Sequence, residues 1–314
     1  MVQMVAEKGI LIIAQGKQRY IDMAFTIAMS IKLTNPDLQL ALVTDSSDDG
    51  LKKYYHYIIP IDPAYGIGFS QKMRMYQYSP FQKTMFIDVD CMIIKDINFL
   101  WEMFNGHEMS VMGKKKKSGP YIGTTIEALK NFYDFDYLPS FNGGVYYFEK
   151  SKQAERIFEL AITIFEKKYD ELKLWKFDGK PGDEPAMAIA MGVYGVSPVD
   201  DNKNGMYTPV GQSGVFKMDA LQGVCEFYKN GEKVTPAIMH FGGGYPEAFH
   251  YRREQAKIKL VYQYKLPKRL VSFFVNSCYN PVYIVYVFVY RILKSVLKKG
   301  KLKFTPVMPM FRFE

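Results

Sequence analysis

Apolar and polar positions follow two different rhythms along this chain. The run Gly9-Ile10-Leu11-Ile12-Ile13-Ala14 is continuously apolar, as in a strand buried on both faces, and Gln15-Gly16-Lys17-Gln18-Arg19 then turns the chain. Tyr20, Ala24, Ile27 and Ile31 recur at helical spacing until Asn35-Pro36-Asp37 stops them, and residues 40–45 form a second buried run. This β-α-β order predicts a parallel sheet with helices on its faces. Further along, the pattern predicts a third strand at residues 57–59, a short helix from Ser70 to Gln77 and a strand from Lys83 to Ile87. Glu108 to Met112 reads as a strand, and residues 113–120, with four consecutive lysines, read as a charged loop. Asn142-Gly143-Gly144 turns into a strand at residues 145–148. A helix then starts at Ser151, with Ala154, Ile157, Phe158, Ala161 and Phe165 on one face. Gly182-Asp183-Glu184-Pro185 opens a helix from Ala186 to Met191, and residues 237–239 form a last strand ending at His240. There are no internal repeats. The fold class is α/β, with a Rossmann-like, mixed but mostly parallel sheet in residues 1–250.

Residues 251–314 are different material. Leu270 to Tyr290 are 21 residues without a charge, bracketed by Lys268-Arg269 and Arg291, with Lys294, Lys298, Lys299, Lys301 and Lys303 beyond. A helix of that length reaches about 30 Å, the thickness of a bilayer core. Asn276, Ser277 and Asn280 are polar, however, and Pro281 interrupts the ladder. Seven aromatic residues and the flanking cations instead suit a helical segment lying in the interface of an anionic membrane, through residues 265–303. The alternative is a core helix pair with a basic exit.

Charge supports this division. The net charge of +9 could suggest nucleic acid, but residues 250–314 hold 14 Lys and Arg against two Glu, leaving 27 basic and 30 acidic residues in the rest. Nucleic acid is therefore not an expected partner. Hydrophobic content of 48% and charged content of 23% are those of a folded chain. Three scattered cysteines, Cys91, Cys225 and Cys278, argue against a disulfide framework, and the first apolar run is too short for a secretory signal. The expected location is cytoplasmic and peripheral to a membrane.

The candidate chemistry centres on Asp88-Val89-Asp90, between two apolar runs. If extended, the two acids point to one side, and at a strand end both could face a cleft. They could simply be solvated. Alternatively they share a divalent cation, which relieves the cost of burying two like charges. Asp183 could be an ordinary helix-start acid. His240 alone among the four histidines ends an apolar strand before a glycine run, and it could be structural or a ligand. The lysines at 114–117 read as a solvated turn or as phosphate binders.

Taken in order, the β-α-β start, Lys72, Asp88-x-Asp90 sixteen residues later, Phe-Asn-Gly-Gly-Val at 141–145, Gly-Asp-Glu at 182–184 and His-Phe-x-Gly at 240–243 resemble the glycogenin-like retaining glycosyltransferases. The resemblance covers roughly residues 9–244 and implies the GT-A nucleotide-sugar fold. It implies that Asp88, Asp90 and His240 ligate Mn2+ (or Mg2+) against the diphosphate of a UDP-sugar, and that a hexose passes to a glycan or glycolipid acceptor. Ala14 and Tyr20 match positions at the uridine, Val89 one near the ribose, and Gly243 the glycine of the donor-binding His-Phe-x-Gly. Lys72 would contact the donor phosphate or sugar, Asn142 and Asp183 the sugar, with Asp183 nearest the reacting carbon. The family usually follows this motif with a Lys-Pro pair, whereas Tyr245-Pro246 lacks the lysine. Arg252, Arg253 or a lysine of 114–117 is the expected substitute. Two other classes stay open: a haloacid-dehalogenase-like phosphatase using Asp88 and Asp90, and a non-catalytic nucleotide-sugar-binding membrane subunit.

Overall fold

The computed structural model describes residues 6–243 and 249–299, with side chains beyond residue 282 described only at Val285. The position of the absent lysine, at residue 245, and the basic residues from 300 onward lie outside the described residues.

Strand β1 (Ala6–Ala14) buries its two faces in two different cores, Ile10 and Ile12 in one and Leu11 in the other. A strand of that kind belongs in the middle of a sheet. Helix α1 (Gln18–Thr34) crosses to β2 (Leu40–Thr44), and β3 (Tyr57–Pro60) follows. Next come the short helices α2 (Phe69–Lys72) and α3 (Met75–Tyr78), then β4 (Phe81–Ile87). The single helix expected over 70–77 is therefore broken. Gln71, Lys72, Met73 and Met75 are all buried, more than one face of a continuous helix could bury. Strands β1 to β4 run parallel in the order β3-β2-β1-β4. The chain order reverses between β1 and β4, so their carboxyl ends, at Ala14 and Ile87, flank the topological switch point where open α/β sheets bind ligands.

Past β4 come β5 (Cys91–Ile93), α4 (Asn98–Met103), β6 (Met109–Ser110) and β7 (Gly113–Lys116). Residues 113–116, expected to be a loop, instead form a strand antiparallel to β10. Before β10 lie β8 (Pro120–Tyr121), β9 (Thr124–Thr125) and α5 (Ile126–Leu129); β10 itself is Leu138–Phe141. Lys114 and Lys115 stay exposed on this strand, which suits an edge. Strand β11 (Val145–Glu149) pairs antiparallel with β4 and completes the large sheet together with β6. Helices α6 (Lys152–Thr163) and α7 (Asp183–Val193) cover the face that carries Leu11, Phe86 and Tyr146, with the hairpin β12 (Lys176–Phe177) and β13 (Lys180–Pro181) between them.

After α7 come β14 (Met206–Tyr207), β15 (Gln212–Asp219), β16 (Val224–Lys229), β17 (Glu232–Val234) and β18 (Ile238–His240). Strand β18 pairs antiparallel with β5, setting His240 opposite Cys91, next to the acid pair. Helices α8 (Phe249–Tyr264) and α9 (Lys268–Lys299) close the other face, and Tyr251, Ile258, Val261, Val271 and Val275 join the core of Ile10 and Ile12. The beginning of the basic segment is thus a packed helix pair. Asp219 fastens it, accepting from Lys257 (2.9 Å), Ser272 (3.0 Å) and Asn276 (3.1 Å). Among the described residues no helix is long and apolar enough to cross a membrane.

Candidate active site

Strand β4 ends at Ile87, so Asp88-Val89-Asp90 forms a turn between β4 and β5 rather than an extension of the strand. The turn is held by backbone bonds: Asp88 N–H donates to Gly144 C=O (2.9 Å), Cys91 N–H to Asp88 C=O (3.0 Å), and Phe241 N–H to Asp90 C=O (3.0 Å). Both carboxylates still converge, through the turn and not through strand periodicity. His240 Nε2 lies 3.1 Å from Asp90 Oδ1 and 3.6 Å from Asp88 Oδ2.

The orientation of the His240 ring follows from its other nitrogen. Gly144 N–H donates to Asn142 Oδ1 (3.1 Å), which identifies that atom as the carbonyl oxygen of the amide. The same oxygen is 2.6 Å from His240 Nδ1. An oxygen accepting there requires a proton on Nδ1, so in the neutral ring the lone pair sits on Nε2, directed at two carboxylates. That juxtaposition is favourable only if a positive charge lies between them or Nε2 is itself protonated. Burial opposes the imidazolium, but Asp90 and Asp88 outweigh it and raise His240 above its ordinary value. Asp90 would be raised by burial, yet His240 and Lys72 hold it below the usual carboxylate range. Burial, aided by Asp90 and Asp183, pushes Asp88 up to about 6 against Lys72 and His240.

Lys72 connects this centre to a second acid. Its ammonium donates to Asp88 Oδ2 (2.8 Å) and Gly143 C=O (2.8 Å) and lies 3.0 Å from Asp183 Oδ2. Burial opposes its charge, but Asp183 and Asp88 more than offset this and raise it well above the usual lysine value. Tyr146 OH donates to Asp183 Oδ2 as well (2.6 Å). Both contacts fall on Oδ2, so Oδ1 is the oxygen left for a ligand. Lys72 is accordingly a strut between two acids here.

Lys72, Asp88, Asp90, Asn142, Asp183 and His240 thus form one connected network. Ala14 ends β1, the strand beside β4, and is buried, while half-buried Tyr20, in the first turn of α1, accepts from Arg19 (2.8 Å). Val89, 9% exposed, lies between the acids, and exposed Gly243 (φ +70°) ends the described segment. Arg253, one expected stand-in for the absent lysine, is committed to Glu254 (2.7 Å), Asn280 (3.0 Å) and the Met218 carbonyl.

Sequence reasoning assigned four participants no role of their own, although Gly143, Gly144 and Glu184 lie in its motifs. Glu184 accepts the Gly143 N–H (2.6 Å), and Tyr146 holds Asp183. Gly143 and Gly144 are glycines for lack of room: a Cβ would lie 2.8 Å from Asp183 Oδ2 at the first and 2.7 Å from His240 Nδ1 at the second. Tyr146 shares the parity of Gly144 on its strand, which was the available signal.

Asp90, Cys91 and His240 also bring potential ligand atoms within 4.8 Å of one another. Burial and the neighbouring carboxylates push the Cys91 thiol up, and its Sγ–H points to the Gly144 carbonyl (3.8 Å). Asp88 is not in that group, though its Oδ2 is 3.6 Å from His240 Nε2; carboxylate and imidazole donors of this kind fit a hard to borderline divalent cation.

No protein-family model matches the chain, and no curated protein matches it in sequence. Solved structures do. An active-site mutant of LgtC is similar with a TM-score of 0.51 and 13% identity, over 75% of this chain and 87% of that one. The galactosyltransferase LgtC with donor and acceptor sugar analogs aligns at 0.47 and 12%, over 65% and 76%. Mouse xyloside xylosyltransferase 1 aligns at 0.48 and 13%, over 77% and 99%. At such identities the likeness is one of fold, and the fold is that of the GT-A glycosyltransferases.

Proposed function

We propose that the chain is a metal-dependent glycosyltransferase moving a hexose from a UDP-sugar to a glycan or lipid-linked acceptor with retention of configuration, akin to the glycogenin-like enzymes. One observation carries this reading: with Nδ1 bonded to Asn142, His240 turns Nε2 toward Asp88 and Asp90. Those three residues would hold Mn2+ or Mg2+. Such an ion neutralises the charge that grows on a departing diphosphate.

The remaining work falls to the protein's own groups. Ala14 and Tyr20 border the switch point, where a uridine would sit. Lys72 sets the spacing of Asp88 and Asp183, which aligns the diphosphate side of the cleft with the sugar side. Asp183 faces the reacting carbon as a stabiliser of developing positive charge. Its Oδ2 bonds to Lys72 and Tyr146 make it a poor covalent nucleophile. Retention then follows if the acceptor attacks from the face the diphosphate leaves, with the departing phosphate taking the acceptor's proton. No protein base is needed.

The phosphatase alternative has no comparable support. Its nucleophile would be Asp88, which follows the fourth strand and is tied to Lys72 at 2.8 Å. We extend the proposal to peripheral attachment at the cytoplasmic face of an anionic membrane through residues 265–303. It is supported by exposed Leu266, Leu270, Phe273 and Phe274 beside Lys265, Lys268 and Arg269. The catalytic reading is tested by screening UDP-sugars for manganese-dependent hydrolysis. One donor is expected to be cleaved, and Asp90→Asn to abolish the cleavage while the protein stays folded. Equal cleavage by that variant, or none of any donor by the wild type, contradicts it.

A further inference from the structure

Beside the carboxylate network stands an exposed aromatic pair that the network does not use. Trp175 and Phe177 are 54% and 39% exposed. Exposed hydrophobic side chains are common on this surface; what sets this pair apart is that it is fixed in place. The chain holds this one firmly. The Tyr169 hydroxyl donates to the Trp175 carbonyl (2.6 Å) and accepts from Gly182 N–H (2.9 Å), tying both ends of the β12–β13 hairpin through a single oxygen. Trp175 N–H donates to the Ile122 carbonyl (2.8 Å). Ile122 is β-branched yet has φ +49°, a strained conformation for such a residue, and at Gly123 a Cβ would lie 2.4 Å from the Trp175 nitrogen. Backbone strain and a required glycine both serve to seat Trp175.

The pair adjoins the sugar side of the site. The Phe177 ring meets Trp175 edge-on at 5.8 Å and Phe69 at 6.2 Å. Phe69 begins α2, which ends at Lys72, and the hairpin runs through Gly182 directly into Asp183. Both routes lead to the Lys72–Asp183 contact, at 3.0 Å.

We propose that Trp175 and Phe177 are the acceptor subsite, a stacking platform for the C–H face of a gluco- or galacto-configured pyranose. The proposal rests on the glycosyltransferase reading. A pyranose of either configuration presents one flat face of C–H bonds, which packs on an aromatic face while the hydroxyls stay in water. Rigid rings bind at little cost in side-chain entropy, and the hairpin bonds already hold these. Lys176 is paired with Asp170 (2.5 Å), so the platform does not demand an anionic ligand.

The full-length chain supplies its own reporter. It contains two tryptophans, and Trp101 is buried, so a change in emission on adding sugar reports on Trp175. Lactose and maltose serve as the galacto- and gluco-configured probes, each titrated with manganese and UDP present. At least one should shift the emission saturably, and Phe177→Ala should weaken that binding about tenfold. Trp175→Ala, followed by calorimetry, should lose it to a similar degree. Binding of UDP with manganese should be unchanged in both variants. The proposal is overturned if neither disaccharide shifts the emission, or if both variants bind them as the wild type does. Failure of wild-type protein to bind UDP with manganese would instead count against the donor-side reading.

Discussion

Replacing Gly144 with Ala moves one group of the candidate site and leaves every charge in place. A Cβ at residue 144 would lie 2.7 Å from Nδ1 and 2.9 Å from Cγ of His240, where ordinary contact begins at 3.4 Å. The backbone there cannot easily retreat, because Gly144 C=O accepts from Asp88 N–H (2.9 Å) and its N–H donates to Asn142 (3.1 Å). In a close-packed interior the ring must therefore give way by about 0.7 Å. That displacement breaks the 2.6 Å bond from Nδ1 to Asn142 and with it the aim of Nε2. Losing the outer partner of a metal-binding histidine typically weakens the metal by about 10–100-fold, or about 1.4–2.7 kcal/mol. Calorimetric titration of Mn2+ into the UDP-saturated protein measures this directly. Gly106→Ala, outside the candidate site, is the control: among the described residues its Cβ meets nothing within 4 Å, while φ +83° makes it a strained substitution. It should cost about 1 kcal/mol of stability and leave the metal affinity unchanged. A folded Gly144→Ala protein with wild-type manganese affinity refutes the role given to His240.

Three further outcomes are expected. Lys72→Met leaves buried Asp183 and half-buried Asp88 without their shared cation, and urea unfolding should show a loss of about 3–5 kcal/mol, whereas a loss below about 1 kcal/mol would contradict the strut. Burial, with Arg253 and Lys257, pushes His250 down to about 3. Because this folded value lies below the unfolded value of about 6.5, stability present above that pH drains as pH falls toward the folded value, and about 2 kcal/mol goes between about pH 7 and pH 5. His250→Gln should flatten that part of the unfolding profile, and an unaltered profile would exclude His250 as its source. For membrane docking, Phe273→Ser with Phe274→Ser should reduce flotation with phosphatidylserine vesicles, and high salt should weaken wild-type binding. Full-length protein that ignores such vesicles would count against docking.

The parallel β1–β4 half of the fold could be read from the chain because its strands are buried on both faces and appear as unbroken apolar runs. Lys72, Asp88, Asp90, Asn142, Asp183 and His240 could be picked out by order and spacing, and the fold brings them together. The pairing of residues 113–116 with Leu138–Phe141 could not be read, since it depends on a remote partner and four lysines mask the strand. The acid pair looked like part of a strand because apolar runs flank it, whereas bonds to Gly144 and Phe241, far along the chain, bend it into a turn. Asp219 likewise gave no local sign of its role. Its partners Lys257, Ser272 and Asn276 lie 38 to 57 residues away, and through them the start of the aromatic segment becomes part of the core.

Calorimetry of UDP binding, with and without Mn2+, on the wild type and on Asp90→Asn tests the metal centre most directly. The wild type should bind UDP tightly only when manganese is present, and Asp90→Asn should lose the manganese-dependent part while remaining folded. Equal UDP binding with and without manganese, or an Asp90→Asn variant that binds Mn2+ and UDP like the wild type, would contradict the assignment of Asp88, Asp90 and His240 as the residues that hold the ion.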